Sequence, residues 1–187
     1  MAKKKSRKVI EASKVGNAVN EEHSSRITYS GESLTILLKR LSGEIETAKL
    51  TSGPLPEKIR IKQQFSIGVN DVTRVLERMP LAERGNSDQE PPPHSGHKPS
   101  PVQLQAILLA SDCNSRWLTK HLPSLASSRN VPLIFVKDNK GGSLRLGEVV
   151  KIKTAIALGI KTRGSGINKF IKEVLQTGNQ ANVMRDL

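Results

Sequence analysis

From Leu104 onward the sequence alternates short apolar runs with stretches of helical periodicity, and this limits the folds open to it. Leu104 to Ala110, interrupted only by Gln105, and Leu133 to Val136 are apolar runs of strand length, as expected for strands covered on both faces. Ile152 to Ile160 reads as a third such strand. Between and after them, apolar residues recur three and four apart. Asn114 to about Ser128 reads as a helix with Trp117, Leu118, His121, Leu122 and Leu125 on one face, bent or restarted at Pro123. His121 reads there as a packing residue. Gly141-Gly142 reads as a loop and Leu144 to about Val149 as a short helix. Ile167 to Gln176 closes with Ile167, Phe170, Ile171, Val174 and Leu175 inward.

Upstream, Leu34, Leu37, Leu38, Leu41 and Ile45 mark an amphipathic helix from about Ser33 to Leu50, broken by Gly53, Pro54 and Pro56. Ile59 to Ile67 reads as mainly extended. The resulting order, α-β-α-β-α-β-α-β-α, implies an α/β fold: a three-layer α/β/α sandwich around a small mixed sheet. Residues 1–30 read as a basic flexible tail, with Lys3, Lys4, Lys5, Arg7 and Lys8 at its start. Residues 31–178 read as one domain and 179–187 as a C-terminal tail. Within the domain, 80–101 carries six prolines and one large aliphatic residue, Leu81. Such a stretch cannot bury enough apolar surface to order itself, so it reads as a disordered insertion.

Composition bounds the partner. Lys and Arg number 30 against 17 Asp and Glu, a formal charge of +13. That excess points to nucleic acid or an anionic surface. No apolar run approaches the length of roughly 18 residues that spans a bilayer, so no membrane partner is expected. Cys113 is the single cysteine, which excludes an internal disulfide and a thiolate metal cluster and suits a reducing compartment. His94 and His97 form a poor zinc signal without further ligands. No Ser-His-Asp arrangement, carboxylate pair or phosphate-cradling loop stands out; Gly164-Ser165-Gly166 is too short to be one. No catalytic residue, metal, cofactor or small-molecule substrate is expected. Aromatic residues are too few for a base-stacking sheet.

The densest chemistry lies in Phe65 to Glu77, F-S-I-G-V-N-D-V-T-R-V-L-E. A short strand reaches Gly68, and a helix follows with Val72, Val75, Leu76 and Met79 on one face. Asn70 suits an N-cap, and Asp71 suits a first turn, where the helix dipole favours a carboxylate. From spacing alone, capping is the simpler reading. The alternative is that Asn70 and Asp71 meet base edges while Arg74 reaches phosphate.

Three motifs carry a resemblance. Gly68, Asn70, Asp71, Thr73 and Arg74 match G-x-N-E-x-T-K/R, with Asp71 in place of the usual Glu. His121 to Val136 reads H-L-P-S-L-A-S-S-R-N-V-P-L-I-F-V. Leu144 to Leu158 reads L-R-L-G-E-V-V-K-I-K-T-A-I-A-L. Over Phe65 to Lys161, the insertion excepted, the chain resembles the kink-turn RNA-binding superfamily of ribosomal and small nucleolar ribonucleoprotein core proteins. G-V-N-D-V-T-R-V-L-E-R looks most like the member in eukaryotic nuclear ribonuclease P and ribonuclease MRP, where Arg stands in place of the ribosomal Lys.

The resemblance implies a non-catalytic subunit that binds a kink-turn, an RNA bend with tandem sheared G·A pairs. Asn70 and Asp71 would face guanine edges, and Arg74 would hold phosphate. Lys62 would add a backbone contact. Val149 and Val150 would cap a flipped-out nucleotide, flanked by Lys151 and Lys153. The implied partners are structured RNA and other ribonuclease P/MRP subunits, in the nucleus and nucleolus. From Lys137 to Lys172, nine basic residues face only Asp138 and Glu148, a balance that suits an RNA partner and also a merely soluble surface.

Overall fold

The structure is a computed structural model that describes residues 27–51, 53–82, 102–113 and 116–183. Its elements in chain order are β1 (Ile27–Ser30), α1 (Gly31–Thr51), α2 (Glu57–Gln64), β2 (Phe65–Ile67), α3 (Val69–Arg78), β3 (Leu104–Ala110), α4 (Arg116–Thr119), α5 (Leu122–Ser127), β4 (Leu133–Lys137), α6 (Gly142–Val149), β5 (Ala157–Lys161) and α7 (Gly166–Val183). The sheet order is β1-β4-β3-β5-β2. β1, β4 and β3 pair in parallel, and β5 runs antiparallel to both β3 and β2.

The expected three-layer α/β/α sandwich around a mixed sheet is what the chain forms. One face of the sheet packs Leu34, Leu37, Leu41, Leu146, Ile167 and Ile171 from α1, α6 and α7. The other packs Val72, Leu76, Leu122 and Ala126 from α3 and α5. β3 lies between these layers, with Ala106 to Ala110 buried throughout. This is why its apolar run is unbroken: neither face of the strand meets water. Each fully buried Leu of these layers contributes about 1.5–3 kcal/mol by leaving water.

Several expected boundaries are corrected. Ile27 to Ser30, read as tail, is an edge strand whose Ile27 pairs with Ile134. Four residues with one inward aliphatic carry too little periodicity to be seen in isolation. The rest of the expected tail, insertion residues 83–101 and residues 184–187 lie outside the described residues. Pro80, Leu81 and Ala82 are exposed, and the Ala82 amide donates to the Ser128 carbonyl at 2.9 Å.

Ile59 to Gln64 is helix, not strand. The alternating Ile59 and Ile61 mimic strand period, but only Ile61 is buried. Pro56 precedes the helix as its N-cap residue, Glu57 suits the first turn, and Arg60, Lys62, Gln63 and Gln64 are good helix formers. Ile152 to Ile156 is a turn rather than the start of β5. Its amides serve α6: Ile152 donates to the Gly147 carbonyl at 3.0 Å and Ala155 to the Ser143 carbonyl at 2.8 Å. Gly147 makes this crossing possible, since a Cβ there would lie 2.8 Å from Thr154 backbone.

α7 also outruns its expected end at Gln176. Gly178 reads as a stop signal, yet it sits within α7, where the missing side chain lets the helix lie against Ile27 of β1. The expected helix over 114–128 is two pieces, α4 and α5, with Pro123 in the first turn of the second. Trp117, expected inward, is 68% exposed.

Candidate nucleic-acid interface

β2 delivers the chain to Gly68 at the end of the sheet where β5 begins. Gly68 has φ +89 and ψ 161, a backbone region that costs a side chain dearly. Its amide donates to the Ala157 carbonyl at 2.8 Å, and its carbonyl accepts from Val72 at 3.1 Å. Thus one glycine ends β2, starts α3 and ties both to β5. Val72 and Leu76 are fully buried beneath α3. The opposite face, with Asn70, Asp71 and Arg74, is exposed.

Asn70 is not the N-cap. Gly68 holds that position, and no side-chain capping bond is made. Asn70 lies in the first helical turn, and neither it nor Asp71 forms a side-chain hydrogen bond to another described residue. Capping therefore does not explain this pair. One donor-acceptor amide and one acceptor-only carboxylate thus lie exposed at the positive end of a helix dipole, hydrogen-bonded by no side chain among the described residues. Arg74, one turn on, forms no ion pair among the described residues.

Thr73 is engaged differently. Its Oγ1 lies 2.7 Å from Nε2 of His121. His121 is exposed, so it is not the packing residue its spacing suggested. It sits just ahead of α5 and links that helix to α3. A polar ring at a helix start looks like a core position when helical spacing is counted across the α4–α5 break.

Lys62, in the last turn of α2, is exposed. Its carbonyl accepts from the ammonium of Lys161. Burial lowers the Lys161 pKa from its ordinary value, the Arg163 charge lowers it further, and Asp71 partly offsets both. Lys62, Lys161 and Asp71 thus belong to one electrostatic neighbourhood.

The turn at 151–156 leads into Ala157 and so reaches the same end of the sheet. The structure revises its expected roles. Val149 and Val150, each 3% exposed, belong to the core with Leu146. They close α6 and its cap and offer no apolar surface to a nucleotide. The exposed aliphatic of this turn is Ile152, overlooked because it read as part of a buried strand. Lys151 has φ +58 and pairs with Glu46 of α1 at 3.3 Å. Lys153 is exposed and unpaired among the described residues. Arg145 is also paired, with Asp138 at 3.5 Å and Glu148 at 3.8 Å. The basic stretch is therefore less free than its composition suggested. Among the described residues no cluster of His, Cys, Asp and Glu is able to hold a metal, and no helix is long and apolar enough to cross a membrane.

A parallel-centred sandwich carries an exposed polar helix start beside the β5 turn. Residues 101–170 match the model of the family described as Ribosomal protein L7Ae/L30e/S12e/Gadd45, so this stretch is similar to that family. The matched stretch begins after α3 and does not include Gly68 to Arg74.

The chain is also similar in sequence to a ribonuclease P subunit. The chain is 28% identical over 128 residues to the ribonuclease P protein subunit p38 of Bos taurus, covering 67% of this chain. It spans 35% of the length of that relative. Among solved structures, the 15.5kD RNA binding protein of Giardia lamblia has the same fold, with a TM-score of 0.51 and 16% identity over 81% of this chain and 92% of that one.

Proposed function

We propose that this chain is a non-catalytic RNA-binding subunit of a nucleolar ribonucleoprotein, and that it recognises a kink-turn in ribonuclease P or MRP RNA. The observation that carries this reading is the pair Asn70 and Asp71, exposed and with no side-chain hydrogen bond among the described residues, on a helix start anchored by Gly68. In this role Asp71 accepts from guanine N1–H and N2–H, and Asn70 both donates and accepts. Arg74, Lys62 and Lys153 neutralise phosphates. Ile152, rather than Val149 or Val150, supplies the apolar contact to an unstacked nucleotide. Lys151 contributes charge only at the expense of its pair with Glu46.

In the particle, RNA performs phosphodiester hydrolysis in precursor tRNA and precursor rRNA. The protein holds the RNA bend and contacts neighbouring subunits. The similarity to a ribonuclease P subunit supports this assignment over a box H/ACA or box C/D particle or the ribosome, and it supports residence in the nucleus. The test is to tag the protein, localise it and sequence the RNA that co-purifies. Ribonuclease P or MRP RNA with precursor-tRNA cleavage activity is the expected result. Mainly H/ACA, C/D or ribosomal RNA would reassign the particle, and no structured RNA would overturn the reading.

A further inference from the structure

A second surface stands open at the other end of β2 from Gly68. Between α1, α2 and the loop from β5 to α7 lies a cleft of about 160 Å³, with Ile61, Phe65 and Ile167 among its walls. Arg60 and Arg163 also line it. Each guanidinium has five donors. Arg60 gives one to the Lys49 carbonyl at 3.1 Å, and Arg163 gives one to the Gln63 carbonyl at 3.2 Å. Neither pairs with a carboxylate among the described residues. Beside these residues in the chain, Leu50, Leu55 and Ile59 are 87%, 42% and 45% exposed.

We infer that this cleft docks a short acidic segment of a partner protein. An aliphatic side chain of the segment packs on the exposed Leu55 and Ile59 beside the cleft, and its carboxylates pair with Arg60 and Arg163. Charge complementarity selects the occupant. Arg60 and Arg163 face one acidic lining residue, Glu57, while Lys49 is paired with Glu46 at 3.6 Å, and Lys58 extends the same sign along α2.

An RNA strand would satisfy the cations but leave exposed Leu50, Leu55 and Ile59 beside phosphates. Phe65, the one aromatic wall, is 2% exposed and cannot stack on a base. Exposed aliphatic side chains beside a cleft lined by arginines suit a peptide with alternating apolar and acidic side chains. The inference does not rest on the RNA reading, because neither Asn70 nor Asp71 lines the cleft.

The test uses the full chain and a fluorescein-labelled synthetic peptide, EELEDLLEE, followed by anisotropy at physiological salt. The expected result is saturable binding that weakens about tenfold or more when the leucines become serines. Ile59→Glu and Leu55→Glu, both at exposed positions, should each weaken binding to a similar extent at unchanged melting temperature. Arg60→Glu should do the same while leaving affinity for a kink-turn RNA unaltered.

No binding, equal binding of the serine peptide, or equal binding by all three variants would overturn the inference. So would a loss of kink-turn affinity in Arg60→Glu as large as its loss of peptide affinity, since the surface would then belong to RNA. If the wild type bound the peptide as described but ignored a kink-turn, the RNA reading would fail and this one would stand.

Discussion

The amide of Gly68 and the carbonyl of Ala157, 2.8 Å apart, join the start of α3 to the first residue of β5. This single bond brings the Asn70–Asp71 helix start and the Ile152–Lys153 turn to one end of the sheet. It forms only because Gly68 adopts φ +89. A Cβ there would meet nothing within 4 Å, so the obstacle to substitution is conformational rather than steric. Gly68→Ala should cost about 1–3 kcal/mol of stability. Urea denaturation measures this, and an unchanged midpoint would show that the conformation is not strained.

The 2.7 Å contact between Thr73 and His121 should be energetically real. Thr73→Val and His121→Ala should each destabilise, with a coupling of about 0.5–1.5 kcal/mol in a double-mutant cycle. Strict additivity would show that the two groups do not interact in solution.

The cations of the proposed interface should separate into free and paired ones. Arg74→Ala and Lys153→Ala should each lower the magnitude of the log-affinity versus log-salt slope by roughly 0.7–0.9, because each removes one phosphate contact. Lys151→Ala should change the slope less, since Lys151 is held by Glu46. That pairing also lowers the pKa of Glu46 below its ordinary value, the Lys151 hydrogen bond contributing most. Equal slopes for Arg74→Ala and wild type would remove Arg74 from the phosphate contacts.

What was legible in the sequence follows burial. β3 was readable to the residue because all its neighbours are apolar layers, and α1 because Leu34, Leu37, Leu38, Leu41 and Ile45 are all buried. Segments stabilised by backbone pairing rather than by a periodic apolar face were misread. β1 is four residues held by the β4 ladder, and 152–155 is held by α6 carbonyls. At the candidate site, the spacing within Phe65 to Glu77 singled out Asn70, Asp71 and Arg74 as candidates. Only the three-dimensional structure shows that neither Asn70 nor Asp71 is used in a capping bond, that Val149 and Val150 are buried, or that Lys151 is paired with Glu46. Those facts depend on long-range neighbours that spacing cannot supply.

Asn168 shows how such long-range contacts stabilise the molecule. It is 8% exposed. Its Oδ1 accepts from the amides of Arg163 at 3.0 Å and Ser165 at 3.1 Å, and its Nδ2 donates to the Lys161 carbonyl at 2.9 Å and to Gln105. Asn168→Ala would leave the Arg163 and Ser165 amides without this acceptor, so it should cost about 1–3 kcal/mol. The loop from Lys161 to Ser165 should then exchange amide hydrogens faster. Unaltered exchange would show that the loop is held by other means.

The most direct measurement compares binding of the full chain, and of Asn70→Ala and Asp71→Ala, to a kink-turn RNA and to a Watson–Crick duplex of equal length. The wild type should prefer the kink-turn. Each substitution should cost about 1–3 kcal/mol on the kink-turn and little on the duplex. Folding stability should fall by no more than about 0.5 kcal/mol for Asn70→Ala and about 0.3–1 kcal/mol for Asp71→Ala, which loses its place on the helix dipole. Equal affinity for both RNAs, or equal losses on both, would contradict base reading by Asn70 and Asp71.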